Sequence, residues 1–396
     1  MEQKKVRLGV LGLGNMGSEH CENFKAGKCP EIEVTAVCDL KASRLEWAKN
    51  LFGSVATFED AEAMMDSGLI DAILVAVPHY DHPKYSIMAM KKGIHVMSEK
   101  PAGVYTKQVL EMNKVADECD VTFAIMMNLR TAAIYQKMRD LIVSGEMGEI
   151  RRVSWLVTTW YRPQAYYNSG GWRATWSGEG GGVLLNQCPH NLDMLQWVCG
   201  MPSKVTAHLH FGKWHDIEVE DDVTAYLEFP NGATGTFITS TGEGCGTNRF
   251  EVTLDKGKVV AELNENGKFL TVWKSANGMT EQEFSATNDQ PFGSMKFTKE
   301  EIDVNARSGG HPAVLNAFAA HILRGEPLLA DGREGINGLT ISNAMHLSSW
   351  TGKTIELAAL DHDLYEEELM KRVATSRRKD NVVEVEPVDM SATYGA

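Results

Sequence analysis

The chain has 396 residues and a formal net charge of -14, too long for one compact core and suited to two domains of ordinary size. So acidic a surface repels phosphate backbones, which argues against a nucleic-acid partner. No apolar run reaches the roughly 18 residues needed to span a bilayer, the start MEQKKVRLGV has no signal-peptide core, and the seven cysteines include no C-x-x-C pair, so the expectation is a cytoplasmic chain with reduced thiols and no membrane partner.

The first part alternates apolar runs with helical patterns. Strands are expected at 6–11, 34–38, 71–77, 94–97 and 121–126, and helices at 15–26, 42–51, 82–92 and 106–118. This alternation predicts an α/β domain with a parallel, doubly wound sheet covered on both faces. Near residue 150 the rhythm changes. Alternating segments at 151–160, 204–211, 223–229, 233–240 and 250–254 are separated by turn signals such as Pro230-Asn231-Gly232 and Asp255-Lys256-Gly257. They predict an α+β domain with an open, mainly antiparallel sheet of about six strands. A helix at 184–198 interrupts it, and two more follow at 313–324 and 333–350. The expected division is 1–128, 129–360 and a C-terminal helix and tail at 361–396, with the late helices able to pack back on the first domain. From Arg377 the residues are polar and lack periodicity, as in a tail or an arm.

Gly12-Leu13-Gly14-Asn15-Met16-Gly17 follows the first strand and opens a helix. In that context G-x-G-x-x-G reads as the phosphate turn of a dinucleotide-binding Rossmann domain. The first glycine permits the turn, the second lets a pyrophosphate approach, and the third allows close helix–strand packing. Asn15 and Met16 then begin a helix whose N-terminus favours anions. Asp39 ends the second strand. A carboxylate there accepts both ribose hydroxyls and repels a 2′-phosphate, and Leu40 offers no compensating cation, so NAD is favoured over NADP. Arg44 lies one helical turn later, where it would contact a phosphate, stack on adenine or simply be solvated.

Glu99-Lys100-Pro101 follows the strand at 94–97, and strand C-terminal ends face the ligand crevice in such sheets. Lys100 there can hydrogen-bond a reacting oxygen; the alternative is a surface Lys before a turn. Asn186, His190 and Asp193 share one face of the predicted helix. His190 suits a base near neutral pH, Asn186 can hold a substrate hydroxyl, and Asp193 can orient the imidazole or join a structural network. The glycines Gly180, Gly181 and Gly182 let the backbone pass close to something. Residues 155–176 hold seven aromatics, among them Trp155, Trp160, Tyr166, Trp172 and Trp176, with Arg162 and Arg173 between them. They suit a sugar-binding wall or, equally, a packed sheet or interface. His311, after Gly309-Gly310, is a further candidate for the pocket. His208, His210 and His215 lack the supporting ligands of a metal site, and no metal is expected.

These elements, in order, resemble the Gfo/Idh/MocA oxidoreductases, named for glucose–fructose oxidoreductase, inositol dehydrogenase and a rhizopine catabolism protein. The resemblance runs from about residue 5 to 358 and rests on Gly12–Gly17, Asp39, Val77-Pro78-His79-Tyr80-Asp81-His82, Glu99-Lys100-Pro101 and the glycine-rich entry to His190. It implies an NAD(P)-dependent oxidoreductase moving a hydride to or from a secondary hydroxyl of a sugar or inositol. Redox-neutral glycoside cleavage through a keto-sugar and a non-catalytic dinucleotide-binding regulator are the alternatives. Lys100 and His190 would be the catalytic pair, Lys100 would also contact the nicotinamide ribose, and the Lys100–Pro101 bond would be cis. The substrate set would be Asn186, Trp160, Arg162, Trp172, Arg173 and His311. The cofactor set would be Gly12, Gly14, Asn15, Met16, Asp39, Arg44, Val77, Pro78, His79, His82, Glu99, Lys100 and Asn128. A homodimer or homotetramer is expected. One departure stands out: many relatives carry Asp four residues before the His, where this chain has Asn186, within Asn186-Gln187-Cys188-Pro189-His190. That stretch looks like a subgroup with Asn-Gln in place of the Asp. An Asn cannot act as a base, so the proton falls to His190 or Lys100.

Overall fold

In a computed structural model, which describes residues 4–264, 266–304, 308–377 and 379, the early apolar runs become six parallel strands. They are β1 (Val6–Leu11), β2 (Ile32–Cys38), β3 (Ala56–Phe58), β4 (Ala72–Val75), β5 (His95–Ser98) and β6 (Phe123–Ile125). The helices α1 (Asn15–Lys25), α2 (Ala42–Phe52), α3 (Ala61–Asp66), α4 (Asp81–Lys91) and α5 (Thr106–Glu118) connect them. Strand order is β3-β2-β1-β4-β5-β6. The order reverses between β1 and β4, which opens a crevice at the strand C-terminal ends. All four residues of β4 are buried, as a strand covered on both faces requires.

The rest of the chain comprises α6 (Ala133–Val143), β7 (Ile150–Val157), α7 (Gln164–Asn168), α8 (Pro189–Cys199), β8 (Lys204–Phe211), β9 (Glu220–Glu228), β10 (Thr234–Ser240), β11 (Asn248–Leu254), β12 (Gly257–Asn264), β13 (Gly267–Ser275), α9 (Glu281–Thr287), β14 (Phe297–Ile302), α10 (Gly310–Arg324), α11 (Gly335–Thr351), β15 (Ile355–Glu356) and α12 (His362–Ala374). The strands form one sheet in the order β14-β13-β12-β11-β7-β10-β9-β8-β15. Only β7 and β10 pair in parallel. Nine strands replace the six expected from sequence. The segments named from sequence correspond to β7–β11; β12 and β13 extend the sheet beyond them, β14 is exposed along almost its whole length and lacks apolar alternation, and β15 has two residues. The sheet packs one face on α6 and α11, with α8 packed on both, and at its centre Trp155 stacks on Phe250 with ring centroids 4.1 Å apart. Late in the chain α10 returns to the first sheet, where Val314, Leu315 and Phe318 share a core with Val6, Leu8 and Leu74. Among the described residues no helix is long and apolar enough to cross a membrane.

The helix expected from 184 starts instead at Pro189. Proline suits the first helical position because the missing N–H has no intrahelical partner there. The apolar residues Val183, Leu184 and Leu185 are buried in the turns before it, and Asn186 lies in those turns rather than on the helix. The expected helix at 333–350 is a 3₁₀ turn, Gly332–Glu334, followed by α11. The expected tail falls mostly outside the described residues, but Ser376 and Arg377 bond to Glu218.

A buried ion pair joins these parts. Arg130 donates Nε and Nη2 to Asp193 at 2.8 and 2.7 Å and Nη1 to Glu334 at 2.8 Å. Asp193 therefore belongs to a structural network rather than to the His190 imidazole. Removing one member of a buried pair leaves the other charge uncompensated. Arg130→Met should cost about 3–5 kcal/mol in chemical denaturation, and adding Asp193→Leu should recover much of the loss. A wild-type midpoint for Arg130→Met would contradict this role.

Candidate active site

The glycine turn after β1 is shaped for a phosphate. Gly12 has φ +89°, and a Cβ there would stand 2.4 Å from the Ala76 carbonyl oxygen. A Cβ on Gly17 would stand 1.9 Å from the Gly12 carbonyl oxygen, so this glycine lets α1 close on the turn. At Gly14, by contrast, a Cβ would meet nothing within 4 Å. That leaves an open cradle above the first turn of α1, where Asn15 and Met16 begin the helix. An anion fits such a helix end. Asp39 accepts from the Leu13 N–H at 2.7 Å and the Lys41 N–H at 2.8 Å, one on each carboxylate oxygen. Each oxygen keeps a lone pair for a ribose hydroxyl.

Arg44 sits elsewhere than expected. It is buried, donating Nε to the Leu13 carbonyl at 2.9 Å and Nη2 to Ser18 Oγ at 2.6 Å, with its guanidinium 4.4 Å from the Trp47 ring. It braces the turn from behind because the turn's carbonyl and hydroxyl need donors. His82 also faces inward, its ring nitrogens 2.7 Å from the Pro101 and Val77 carbonyl oxygens. It fixes the loop after β4, which carries Val77 and Pro78, to the loop after β5. His79 is buried against the Glu179 carbonyl and the edge of Trp172.

The loop after β5 carries Glu99 and Lys100, with a cis Lys100–Pro101 bond. Glu99 lies 2.7 Å from His20 Nε2 and accepts from the Lys100 N–H at 3.2 Å. Burial raises its carboxyl pKa, but the His20 hydrogen bond and the charges of His20, His311 and Lys100 outweigh that and hold it at about 2. His311, in the first turn of α10, meets His20 edge-on at 5.3 Å, Asn128 Nδ2 at 3.1 Å and Glu19 at 3.4 Å. The structure thus brings Asn128 and His311 together beside α1.

Lys100 Nζ donates to the Asn186 carbonyl oxygen at 3.0 Å. Burial lowers its pKa, Arg173 and Arg162 add to that, and Glu99 and Glu179 oppose it. His190 lies in the first turn of α8, 8% exposed, with Nδ1 buried and without a hydrogen-bond partner. Burial, with the Lys100 and His311 charges, drives its pKa well below 6.5. A neutral imidazole here can take a proton.

Glu179 is the residue the sequence reading missed. Its carboxylate is 2% exposed, accepts from the Ala174 N–H at 2.5 Å, and takes the side-chain amide of Asn186. Burial raises its pKa, with Arg173, Ala174 and Asn186 opposing. The available signal was an acid inside a glycine run. Those glycines are needed: a Cβ on Gly180 would stand 2.2 Å from Val104, and one on Gly182 2.0 Å from the Glu220 carbonyl oxygen.

The aromatic segment divides between its two readings. Trp155 and Trp176 are core. Trp160 donates to Asn191 at 3.1 Å. Arg162 and Arg173 flank the Tyr166 ring at 5.3 and 4.6 Å, and Arg173 also lies 4.6 Å from Trp172. The Tyr166 hydroxyl receives Arg173 at 2.9 Å and Gln187 at 3.2 Å. His215 pairs with Asp221 at 3.0 Å.

Residues 6–127 match the family model of an oxidoreductase family with an NAD-binding Rossmann fold, and residues 135–260 match that of the GFO/IDH/MocA C-terminal domain. D-glucoside 3-dehydrogenase of Escherichia coli is 25% identical over 90% of this chain and 99% of its own length. Myo-inositol 2-dehydrogenase of Thermotoga maritima is 23% identical over 89% of this chain and 98% of its own. The WlbA dehydrogenase of Chromobacterium violaceum, crystallised with NADH and UDP-GlcNAcA, superposes with a TM-score of 0.76 at 26% identity, covering 91% of this chain and 98% of that one. With matches to both domains and a phosphate cradle where the Rossmann motif demands one, the chain belongs to the Gfo/Idh/MocA oxidoreductases.

Proposed function

We propose that this protein is an NAD-dependent dehydrogenase acting on a secondary hydroxyl of a sugar or polyol. The observation that carries the reading is Lys100, in the loop after β5 with its Nζ on the Asn186 carbonyl, and a buried His190 close enough to feel its charge. The named activities of the E. coli and T. maritima relatives support the substrate class. NAD rather than NADP follows from Asp39, whose carboxylate would repel a 2′-phosphate, and from Leu40 beside it, 88% exposed and uncharged.

Bound NAD supplies the hydride acceptor. His190 takes the hydroxyl proton, and its lowered pKa keeps it unprotonated and ready to do so at neutral pH. Lys100 donates to the same oxygen as negative charge develops on it. Asn186 gives its amide N–H to Glu179, which leaves its side-chain oxygen to accept from a neighbouring substrate hydroxyl. Glu179 thereby supplies a carboxylate beside Asn186, which has no acid of its own, acting through Asn186 and on the charge of Lys100.

We also infer a cytoplasmic homodimer or homotetramer. The strand registers put the exposed Leu156, Tyr226, Phe269 and Phe297 on one face of the nine-stranded sheet, away from the helices. Those apolar side chains share the face with the charged Arg249, Glu251 and Glu262, a mixed surface that suits pairing between subunits.

A screen of sugars and inositols with NAD, following NADH absorbance and product together, tests the reading. NADH in proportion to product supports it; product without net NADH contradicts it. His190→Ala should lower kcat/KM by about 10²–10⁴. In the wild type kcat/KM should stay level as pH falls through 6.5 and decline only below it, because the base titrates below that value; a midpoint at or above 6.5 would count against His190. Glu179→Gln should lower kcat by about 10–100-fold. It should also move the alkaline limb to lower pH, since Lys100 loses an opposing charge. Asp39→Ala should reduce the preference for NAD over NADP on the order of tenfold.

A further inference from the structure

Arg162 and Arg173 are two cations held by aromatic rings and neutral oxygens. Arg162 donates Nη1 to the Tyr161 carbonyl at 2.8 Å, and Arg173 donates Nη1 to the Tyr166 hydroxyl at 2.9 Å. The Nε of each is buried and has no hydrogen-bond partner. Among the described residues no carboxylate forms an ion pair with either. Both guanidinium groups lie against Tyr166, and their charges reach Lys100. Glu179 feels the Arg173 charge, but its oxygens are already engaged by Ala174 and Asn186. The crevice therefore holds Lys100, Arg162 and Arg173 against Glu99, itself paired with His20, and Glu179, in a chain whose formal charge is -14.

An exposed guanidinium needs no partner, but a buried N–H does. A sugar hydroxyl would satisfy one donor and leave both charges uncompensated. A carboxylate or phosphate supplies several acceptors and the missing charge, and the planar guanidinium fork matches its oxygens. The rings of Trp160, Tyr166 and Trp172 hold both guanidiniums at fixed distances before any ligand arrives. We propose that the substrate carries an anionic group, a carboxylate or a phosphate, seated on Arg162 and Arg173. This deepens the dehydrogenase reading and rests on it for the location of the reacting carbon.

Calorimetric titration of the NADH-loaded protein tests it without turnover. The ligands are matched triples in the gluco, galacto and manno series: each hexose, its uronic acid and its 6-phosphate. In a series that binds, an anionic member should bind at least about tenfold tighter than the neutral sugar. Whichever anion is tighter distinguishes carboxylate from phosphate. Arg173→Gln should bring the ratio of charged to neutral affinity toward one, and Arg162→Gln provides a second reading should the first variant fail to bind NADH. A neutral hexose that binds as tightly as both of its anions, or no binding by any anion, overturns the proposal. An anion that binds tightly and yields no NADH from NAD would instead sink the dehydrogenase reading and leave the anion site standing.

Discussion

Several positive groups share one partly dehydrated crevice, and their mutual repulsion sets the terms for everything else in the site. In the proposed reaction Lys100 would keep its proton to donate to the reacting oxygen, yet burial and the two neighbouring arginines press it to lose it. The Asn186 carbonyl receives its Nζ directly. Glu99 and Glu179 oppose the loss from two sides. Glu99 serves only because His20 and the surrounding charges keep it ionised while buried. Burial first, and then the Lys100 and His311 charges, lower the His190 pKa, so the proposed donor and base are set apart by the same dehydrated surroundings.

The fold delivers these groups from distant parts of the chain. The loop after β5 brings Glu99 and Lys100, the first turn of α8 brings His190, and the turns before it bring Glu179 and Asn186. Close passage is the condition for the last two. Gly180 and Gly182 run against Val104 and the Glu220 backbone, where any side chain would collide. The Arg130–Asp193 pair then fixes α8 against the turn at Asn128–Thr131, and Glu334 ties that turn to the start of α11. Helix α10, packed on β1 from the far end of the chain, carries His311 to the side of α1.

Much of this was legible in sequence where a local rule sufficed. The apolar runs marked the parallel strands, and the glycine spacing with Asp39 marked the cradle. Tertiary effects defeated the same rules elsewhere. Leu184 and Leu185 read as helical because they are apolar, although they lie in turns; Pro189 was the better guide to the helix start. Strand β14 carries no periodic signal at all. Arg44 was placed at the cofactor by proximity in sequence, but the carbonyl it satisfies belongs to the turn itself. Glu179 is invisible to spacing, since its partner Asn186 is seven residues away and its effect on Lys100 crosses between domains.

In the proposed reaction a carbinol hydrogen leaves as hydride beside Lys100 and His190. Sugars and polyols deuterated at carbon, incubated with the protein and NAD, test it through the nicotinamide recovered afterwards. The account predicts one deuterium at C4 of each NADH formed, from one ring position of the substrate. NADH that accumulates without deuterium, or product that forms while the nicotinamide stays unlabelled and no NADH appears, would contradict it.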